Sequence, residues 1–525
     1  MLKSNSGRLT RRSLLKSTAA AGAATIVGAG GVNMFNVRRS LAASLPDPAS
    51  VLAKINVGNY VKKDYRELYN LGDNEELWDP AKDWIRTVDW EAVRKEFAGT
   101  TVKFAIGAAD AESAADGLEP FHQLSGITVE LVPIPDDSLY DKVVAEFISG
   151  NASFDALQFF SPWLGDFAEP GFLYKLDDFA AKWNLPLDDF YDTYKLNYGY
   201  WGGRGLYGIP FDCDIQMVHL RPSLYKQVTG GDLDTKNSVK TYEDLVRLTG
   251  ELNKVGGGVS GVGLMLGRGF WSTYTWEHIA AQYGMDLFNE KWEPAFNSDA
   301  GIKALETILA LQKNAAEGVA GWGWAENRAA WLGGQLASNI SWQDSGTQAT
   351  RPDQSKIVGD VLTIYEPRVE GGRFAPPNIA GSTSVVTASS KNPEGAFLML
   401  GFLTTASIMA MNEANANGVA PGYRSVLTNP NLRKVSQPAE VWATELDFCW
   451  CAPRLPGMFE MEQVLGNEIN KAAVGQTTPK EALDAGAKAW REIMDKNGFY
   501  SDKPPIDFAA VADAMWVGKG KTPPV

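Results

Sequence analysis

Cysteine and histidine are both scarce in this sequence, with three of each among 525 residues. Cys213, Cys449 and Cys451 are too few for a disulfide framework. A bridge between Cys449 and Cys451, two positions apart, would be strained; one from Cys213 to either of them stays open. His122, His219 and His278 lie far apart, and nothing in the chain has metal-ligand spacing, so neither a metal nor a cofactor is expected. The chain also lacks a Gly-x-Ser-x-Gly elbow, a His-Glu-x-x-His helix and a Gly-x-x-x-x-Gly-Lys-Ser/Thr phosphate loop. Carboxylates are numerous enough to pair by chance, and no pair stands out as a glycosidase dyad. Catalysis is therefore not expected. Beyond the N-terminal segment there is no long apolar run, so no transmembrane helix is expected either.

Acid, by contrast, is in excess: 63 Asp and Glu against 49 Lys and Arg, a formal charge of −14. The first 43 residues hold seven of the basic residues and no acid, which leaves 42 bases against 63 acids downstream, or −21. A surface that acidic repels nucleic acid and anionic membranes and favours solubility. The basic N-terminus reads as a targeting segment. Thr10-Arg11-Arg12-Ser13-Leu14-Leu15-Lys16 precedes a weakly apolar, Ala- and Gly-rich stretch from Ser17 to Gly31, the pattern of an export signal. Its Arg pair resembles the twin-arginine signal, which a receptor reads. Ser40-Leu41-Ala42 and Leu41-Ala42-Ala43 are both acceptable cleavage sites, so residues 1–43 are expected to be removed. No Cys lies nearby to take a lipid.

The chain beyond residue 43 has the length of two or three domains. Residues 44–98 carry mixed charge with Trp78, Trp84 and Trp90 and read as short helices packed outside the body. Val102, Phe104 and Ile106 alternate as a strand, as do Ile127, Val129 and Leu131, and Phe154–Gln158 forms a third. Helical patterns separate them, the second over 138–149 with Leu139, Val143 and Phe147 on one face. This β-α-β-α-β order predicts a mostly parallel sheet with helices on its faces. Residues 299–314 predict an amphipathic helix, Asn392-Pro393-Glu394 a helix start, and Thr478-Pro479-Lys480-Glu481 a capping box with Pro at the first helical position. No fixed-period repeat occurs.

Four stretches together resemble the extracellular solute-binding proteins of family 1, the maltose-binding-protein-like group that serves carbohydrate importers. They are Phe154–Trp163 with Gly171–Asp177; Gly205–Phe211 and the strand up to Tyr225; Leu332–Ala337 with Ile340–Trp342; and Gly381–Ser384 with Ser389–Ala396, closed by the Thr478–Met494 helix. The resemblance implies two α/β lobes joined by two or three crossing segments. It places 99–211 and 366–417 in lobe one and 212–365 and 418–525 in lobe two. The crossings would fall near Phe211-Asp212, Tyr365-Glu366 and Asn417-Gly418. The long lead-in of residues 44–98 departs from the family pattern. The implied function is capture of a carbohydrate or related polyhydroxylated solute by a soluble, monomeric periplasmic protein. It would deliver the solute to an ABC importer's membrane permease and ATPase. A polyamine, polyol or peptide ligand, and an exported glycoside hydrolase, are the alternatives.

A cleft between two such lobes lies beyond the carboxyl ends of the strands. Capture there needs aromatic faces for rings and charged or amide groups for hydroxyls. Seventeen Trp supply faces, most of them for the core. The candidate loops are Asp110 with Glu112 after the first strand, and Ser161 with Trp163 after the third. The first crossing offers Asp212, preferred over Asp214 because it is the nearer to the crossing. The second lobe offers Trp271 with Tyr274, and Trp342, ranked first among the Trp, with Asp344. Gly321-Trp322-Gly323-Trp324 reads rather as a loop anchor. Ser382 with Thr383 sits in a tight turn. Arg424 can fork onto hydroxyls or a carboxylate, or form a salt bridge between lobes.

Overall fold

The computed structural model describes residues 45–149, 153–377 and 380–524. The twin-arginine segment and both cleavage sites lie outside these residues. Each strand and helix expected in the first 60 residues of the α/β body is present: β1 (Thr101–Gly107), α1 (Ala111–Ser125), β2 (Thr128–Ile134), α2 (Asp136–Ser149) and β3 (Ala156–Phe160). With β4 (Gly208–Asp212) and β8 (Ser382–Val386) they build a five-stranded sheet in the order β2-β1-β3-β8-β4. β1 runs parallel to β2 and β3, whereas β8 is antiparallel to both β3 and β4, with Phe160 opposite Ser382. The second sheet holds β5 (Gln216–Leu220), β6 (Ser338–Trp342) and β7 (Leu362–Ile364) in the order β6-β5-β7. Its ladders are antiparallel, and parallel bridges Ser260↔Leu336 and Gly263↔Asn339 extend it beside β6. Antiparallel pairing enters each sheet because the chain enters and leaves the lobes several times. The protein is an α/β fold of two lobes.

β4, β5, β6 and β8 are buried along their whole length, which requires cover on both faces. In the second lobe α3 (Phe270–Gln282), α4 (Asp299–Gln312), α7 (Met458–Ala473) and α8 (Pro479–Lys496) pack on one another and share one apolar cluster with Val218 and Leu220 of β5 and Ile340 of β6. α8 starts with the expected capping box: the Thr478 hydroxyl accepts from the Glu481 amide at 3.2 Å and the Glu481 carboxylate accepts from the Thr478 amide at 2.9 Å. It buries Leu483, Ala487, Trp490, Ile493 and Met494 on one face. The first lobe is covered by α5 (Pro393–Leu403) and α6 (Ala406–Asn415), which are buried almost throughout. The two are bent by 50° at their junction, and among the described residues no single helix is long and apolar enough to cross a membrane. Pro393 opens α5 as expected, but the Asn392 side chain makes no cap. It donates to the Thr101 carbonyl at 3.1 Å instead, tying α5 to β1.

Three crossings join the lobes. The first is the three-residue link Cys213–Ile215 between β4 and β5. The second is the run from Tyr365 after β7 to β8, and it is zipped to the first by the Gln216 amide on the Pro377 carbonyl at 3.1 Å. Glu366, at its start, is fully buried; it accepts from Tyr242 and lies 2.9 Å from His278 Nε2, while its amide donates to Glu445 at 2.6 Å. The third differs from the expected position. Residues 419–446 stay with the first lobe, where Val419, Tyr423, Val426, Leu427, Leu432 and Trp442 share an apolar cluster with β1 and α1. The chain returns to the second lobe near Trp450, which bridges to Pro377, before α7. Asn417-Gly418 is thus a turn at the cleft rather than a crossing. All three cysteines are buried and unbridged.

The lead-in segment touches both lobes. It buries Trp84, Ile85, Trp90 and Val93 against β1, α1, α5 and α6. The buried Asp83 carboxylate caps α6, accepting from the Thr405 and Ser407 hydroxyls at 2.9 and 3.0 Å. Asn415 holds the Lys62 amide at 2.9 Å on the first-lobe side. On the other side, Tyr65 donates to Asp353 at 2.7 Å, and the Arg351 guanidinium sits 4.6 and 4.5 Å over the Tyr65 and Tyr69 rings.

Candidate functional site

β1, β3, β4 and β6 point their carboxyl ends, and the antiparallel β5 and β8 their amino ends, at a cavity of about 580 Å³ between the lobes. That is inside the range of roughly 300–1,000 Å³ common for small-molecule pockets. The loop after β1 delivers Asp110 and the first turn of α1 Glu112, β3 ends on Phe160, β4 ends on Asp212, and β6 ends on Trp342, two residues before Asp344. α3 adds Trp271 and Tyr274 from the second lobe. Seven of the twelve expected contacts therefore line the cavity: Asp110, Glu112, Asp212, Trp271, Tyr274, Trp342 and Asp344.

The other five lie off its wall. The Ser161 hydroxyl is buried, donating to the Ala380 carbonyl at 2.8 Å and accepting from Arg454 at 2.6 Å. Trp163, 1% exposed, stands behind Phe160, packed edge-on against Phe270 and Phe459. Ser382 and Thr383 belong to β8 rather than to a turn, and both are buried; Thr383 donates to the Tyr198 carbonyl at 2.7 Å. The turn is one residue earlier. Gly381 takes φ +64°, and a Cβ there would lie 2.6 Å from the Asp212 carbonyl oxygen, so only glycine lets this loop close onto the cavity. Arg424 forms a forked ion pair with Asp447 at 2.8 and 3.2 Å, and its guanidinium lies 4.0 Å over the Tyr191 ring. It forms a salt bridge with a near neighbour in the chain rather than one between lobes, and it does not line the cavity.

Six acids line the cavity, Glu112 and Asp136 among them, and burial shifts the other four, Asp110, Asp212, Asp214 and Asp344. Gln158 donates to Asp110 at 2.7 Å and accepts from the Gly107 amide at 2.7 Å, so β3 sets the angle of the β1 loop. Asp212 accepts from the Ala420 amide at 2.8 Å. Gln343 donates to Asp214 at 2.8 Å while accepting from the Ile215 amide at 2.9 Å. Asp344 has the Ser345 hydroxyl at 3.5 Å. Burial, with the charges of Asp136 and Asp344 behind it, pushes Asp110 up to about 8. Burial likewise pushes Asp344 up to about 7, against the pull of Arg328. Asp212 rises through burial first and the charge of Asp214 second. Asp214 rises through burial first and the charge of Asp344 second. Neighbouring acids out of water cannot all ionise, so near neutrality the group shares protons and can both donate to and accept from a ligand.

The aromatic wall faces these acids. Trp271 and Trp342 meet edge-to-face, with centroids 6.1 Å apart at 73°. Tyr274 reaches the wall with its hydroxyl committed to Glu462 at 3.1 Å. Arg328 lies 5.3 Å over Trp324 and donates to Gln348 at 2.6 Å.

Several lining residues lie outside the expected set. Asp214 lines the cavity beside Asp212: positions two apart along an extended chain share a face, so nearness to the crossing does not separate the two acids. Trp324, expected as a loop anchor, lines the cavity, and the glycine before it has its own reason: a Cβ on Gly323 would lie 2.8 Å from Trp271 Nε1. Lys62 comes from the lead-in segment and sits 3.6 Å from Glu112 at the rim. No motif in that segment marks it as part of a site. Among the described residues no group of three or more His, Cys, Asp and Glu is arranged to hold a metal ion.

Comparison with known proteins agrees with this architecture. A "probable amino-acid ABC transporter periplasmic-binding protein" of Sinorhizobium fredii is 25% identical over 418 residues, covering 77% of this chain and 92% of the relative. The mannitol-binding protein of Pseudomonas aeruginosa is 23% identical over 395 residues, covering 71% and 88%. Among solved structures, an ABC transporter solute-binding protein of Agrobacterium radiobacter K84 in complex with ribitol superposes with a TM-score of 0.68 at 21% identity, covering 76% of this chain and 99% of that one. The family model of the bacterial extracellular solute-binding proteins matches residues 101–410, more than half of the chain, and the protein belongs to that family.

Proposed function

We propose that the protein captures a carbohydrate or sugar alcohol in the interlobe cavity and delivers it to the membrane permease and ATPase of an ABC importer. The observation that carries this reading is the cavity itself: indole and phenyl faces from both lobes opposite carboxyls that can donate and accept hydrogen bonds. Such groups match the two surfaces of a polyhydroxylated ring or chain, apolar C–H faces and hydroxyl edges. Short crossings between the lobes suit closure by a hinge. Binding and release are the whole reaction; no bond in the solute breaks, and the protein is not an enzyme. The mannitol-binding relative and the ribitol-bound structure support a sugar alcohol or sugar as the cargo. The N-terminal Arg11-Arg12 signal supports export to the periplasm, where the protein acts as a soluble monomer.

Mass spectrometry of the solute that co-purifies, followed by thermal-shift screening of sugars and polyols, tests the reading. A ligand that binds only the native state raises Tm. Silence across the whole panel, or release of free sugar from oligosaccharides by pure protein, would refute it.

A further inference from the structure

The cavity is more acidic than the capture of a neutral polyol requires. Asp110, Asp212, Asp214 and Asp344 all line it; their hydrogen bonds come from Gln158, Ser382, the Ala420 amide, Gln343 and Ser345, and Asp212 and Asp214 bond each other, so no cation donates to them. The two basic residues on the wall have other partners. Lys62 pairs with Glu112, and Arg328 bonds Gln348 and Gln354 while stacking on Trp324. Asp344 is the most telling of the four: it is 7% exposed, lines the cavity, and is bonded only by the backbone and hydroxyl of Ser345, the latter at 3.5 Å, with the Arg328 charge nearby. A buried carboxyl so placed lacks a strong donor. Trp342, two residues before it, and Trp271 offer the ring faces that attract an ammonium as well as a sugar face.

Resting on the capture reading above, we propose that the solute carries a protonated amine together with its hydroxyls, as an amino sugar or aminated polyol does, and that Asp212, Asp214 and Asp344 receive the amine beside Trp342. The hydroxyls then fall to Asp110 and the Asn417 amide of the first lobe and to the Gln348 amide. The electrostatics agree. In the empty cavity burial and mutual repulsion, to which Asp136 and Glu413 add and from which Arg328 subtracts, keep these carboxyls partly protonated. An ammonium among them favours the ionised form, so binding releases protons. A neutral polyol makes no such demand.

Calorimetry on the purified full chain at pH 7 in two buffers of different ionisation enthalpy tests this with matched pairs: 1-amino-1-deoxy-D-glucitol against D-glucitol, 1-amino-1-deoxy-D-mannitol against D-mannitol, and D-glucosamine against D-glucose. Putrescine serves as an amine without hydroxyls. At least one aminated member should bind tenfold or more tighter than its parent, weaken with added salt, and release protons. Asp344→Asn and Asp212→Asn should each shrink that ratio at least fivefold. Parent polyols or sugars binding as tightly as their aminated partners overturn the amine and leave the capture reading standing. Putrescine binding as tightly as the aminated polyols overturns the hydroxyl half and the capture reading with it, as does failure of every compound to bind.

Discussion

The buried acids make a strong prediction about stability in the empty protein. Asp344 is moved from its ordinary value of 3.8 up to about 7, chiefly by burial. The native state therefore keeps a proton that the unfolded chain gives up above pH 3.8. Between pH 3.8 and about 7 the native state binds more protons than the unfolded one, so stability falls as pH rises and is lowest above pH 7. At about 1.4 kcal/mol per pH unit the loss attributable to this one group is about 4 kcal/mol when complete. Asparagine has nearly the same shape and cannot ionise. Asp344→Asn should match the parent protein near pH 4 and exceed it at pH 8 by an amount approaching about 4 kcal/mol. Because the Asp344 charge also raises Asp110, Asp212 and Asp214, its removal eases their ionisation as well, and effects at the four positions are not additive. Urea denaturation of ligand-free protein at pH 4, 6 and 8 reads the difference directly. A gain that does not grow with pH, or a variant less stable than the parent at pH 8, would refute the reasoning. A binding-site residue that lowers the stability of its own fold is the usual cost of function.

Trp271→Ala removes a half-buried ring from the cavity wall and should weaken binding of the co-purified solute about tenfold, or about 1.4 kcal/mol; titration calorimetry showing unchanged affinity would count against its role. Asp83→Ala strips the cap from α6 and leaves Arg86 without its carboxylate, at a cost of about 1–3 kcal/mol in denaturant midpoint experiments. A loss below about 0.5 kcal/mol would show that the Thr405 and Ser407 hydroxyls are satisfied without it. Replacing Arg11 and Arg12 with Lys should leave precursor in the cytoplasm, visible by fractionation, and normal export of that variant would end the twin-arginine reading.

Local sequence was enough for the elements themselves. Alternation in Val102–Ile106, the Thr478–Glu481 capping box and the single apolar face of Leu483 to Met494 each act within a few residues, where strand pleat, helix period and cap geometry are decided. The acids and Trp residues at the ends of β1, β4 and β6 were legible for the same reason, since a strand's last residue points to where the sheet stops. Chain path was not local. Residues 419–446 remain with the first lobe because their apolar side chains find β1 and α1, far away in sequence. Asp214 joins Asp212 because residues two apart share a face where β4 runs into the crossing, and Trp163 drops out of the site because Phe160 stands in front of it. Lys62 reaches the rim only because the lead-in segment lies across both lobes. Residue types and their periods were thus determined by the sequence alone. Which acids share one buried space, and therefore share protons, was decided by the packing of distant segments, because burial and mutual charge depend on distance in space rather than along the chain.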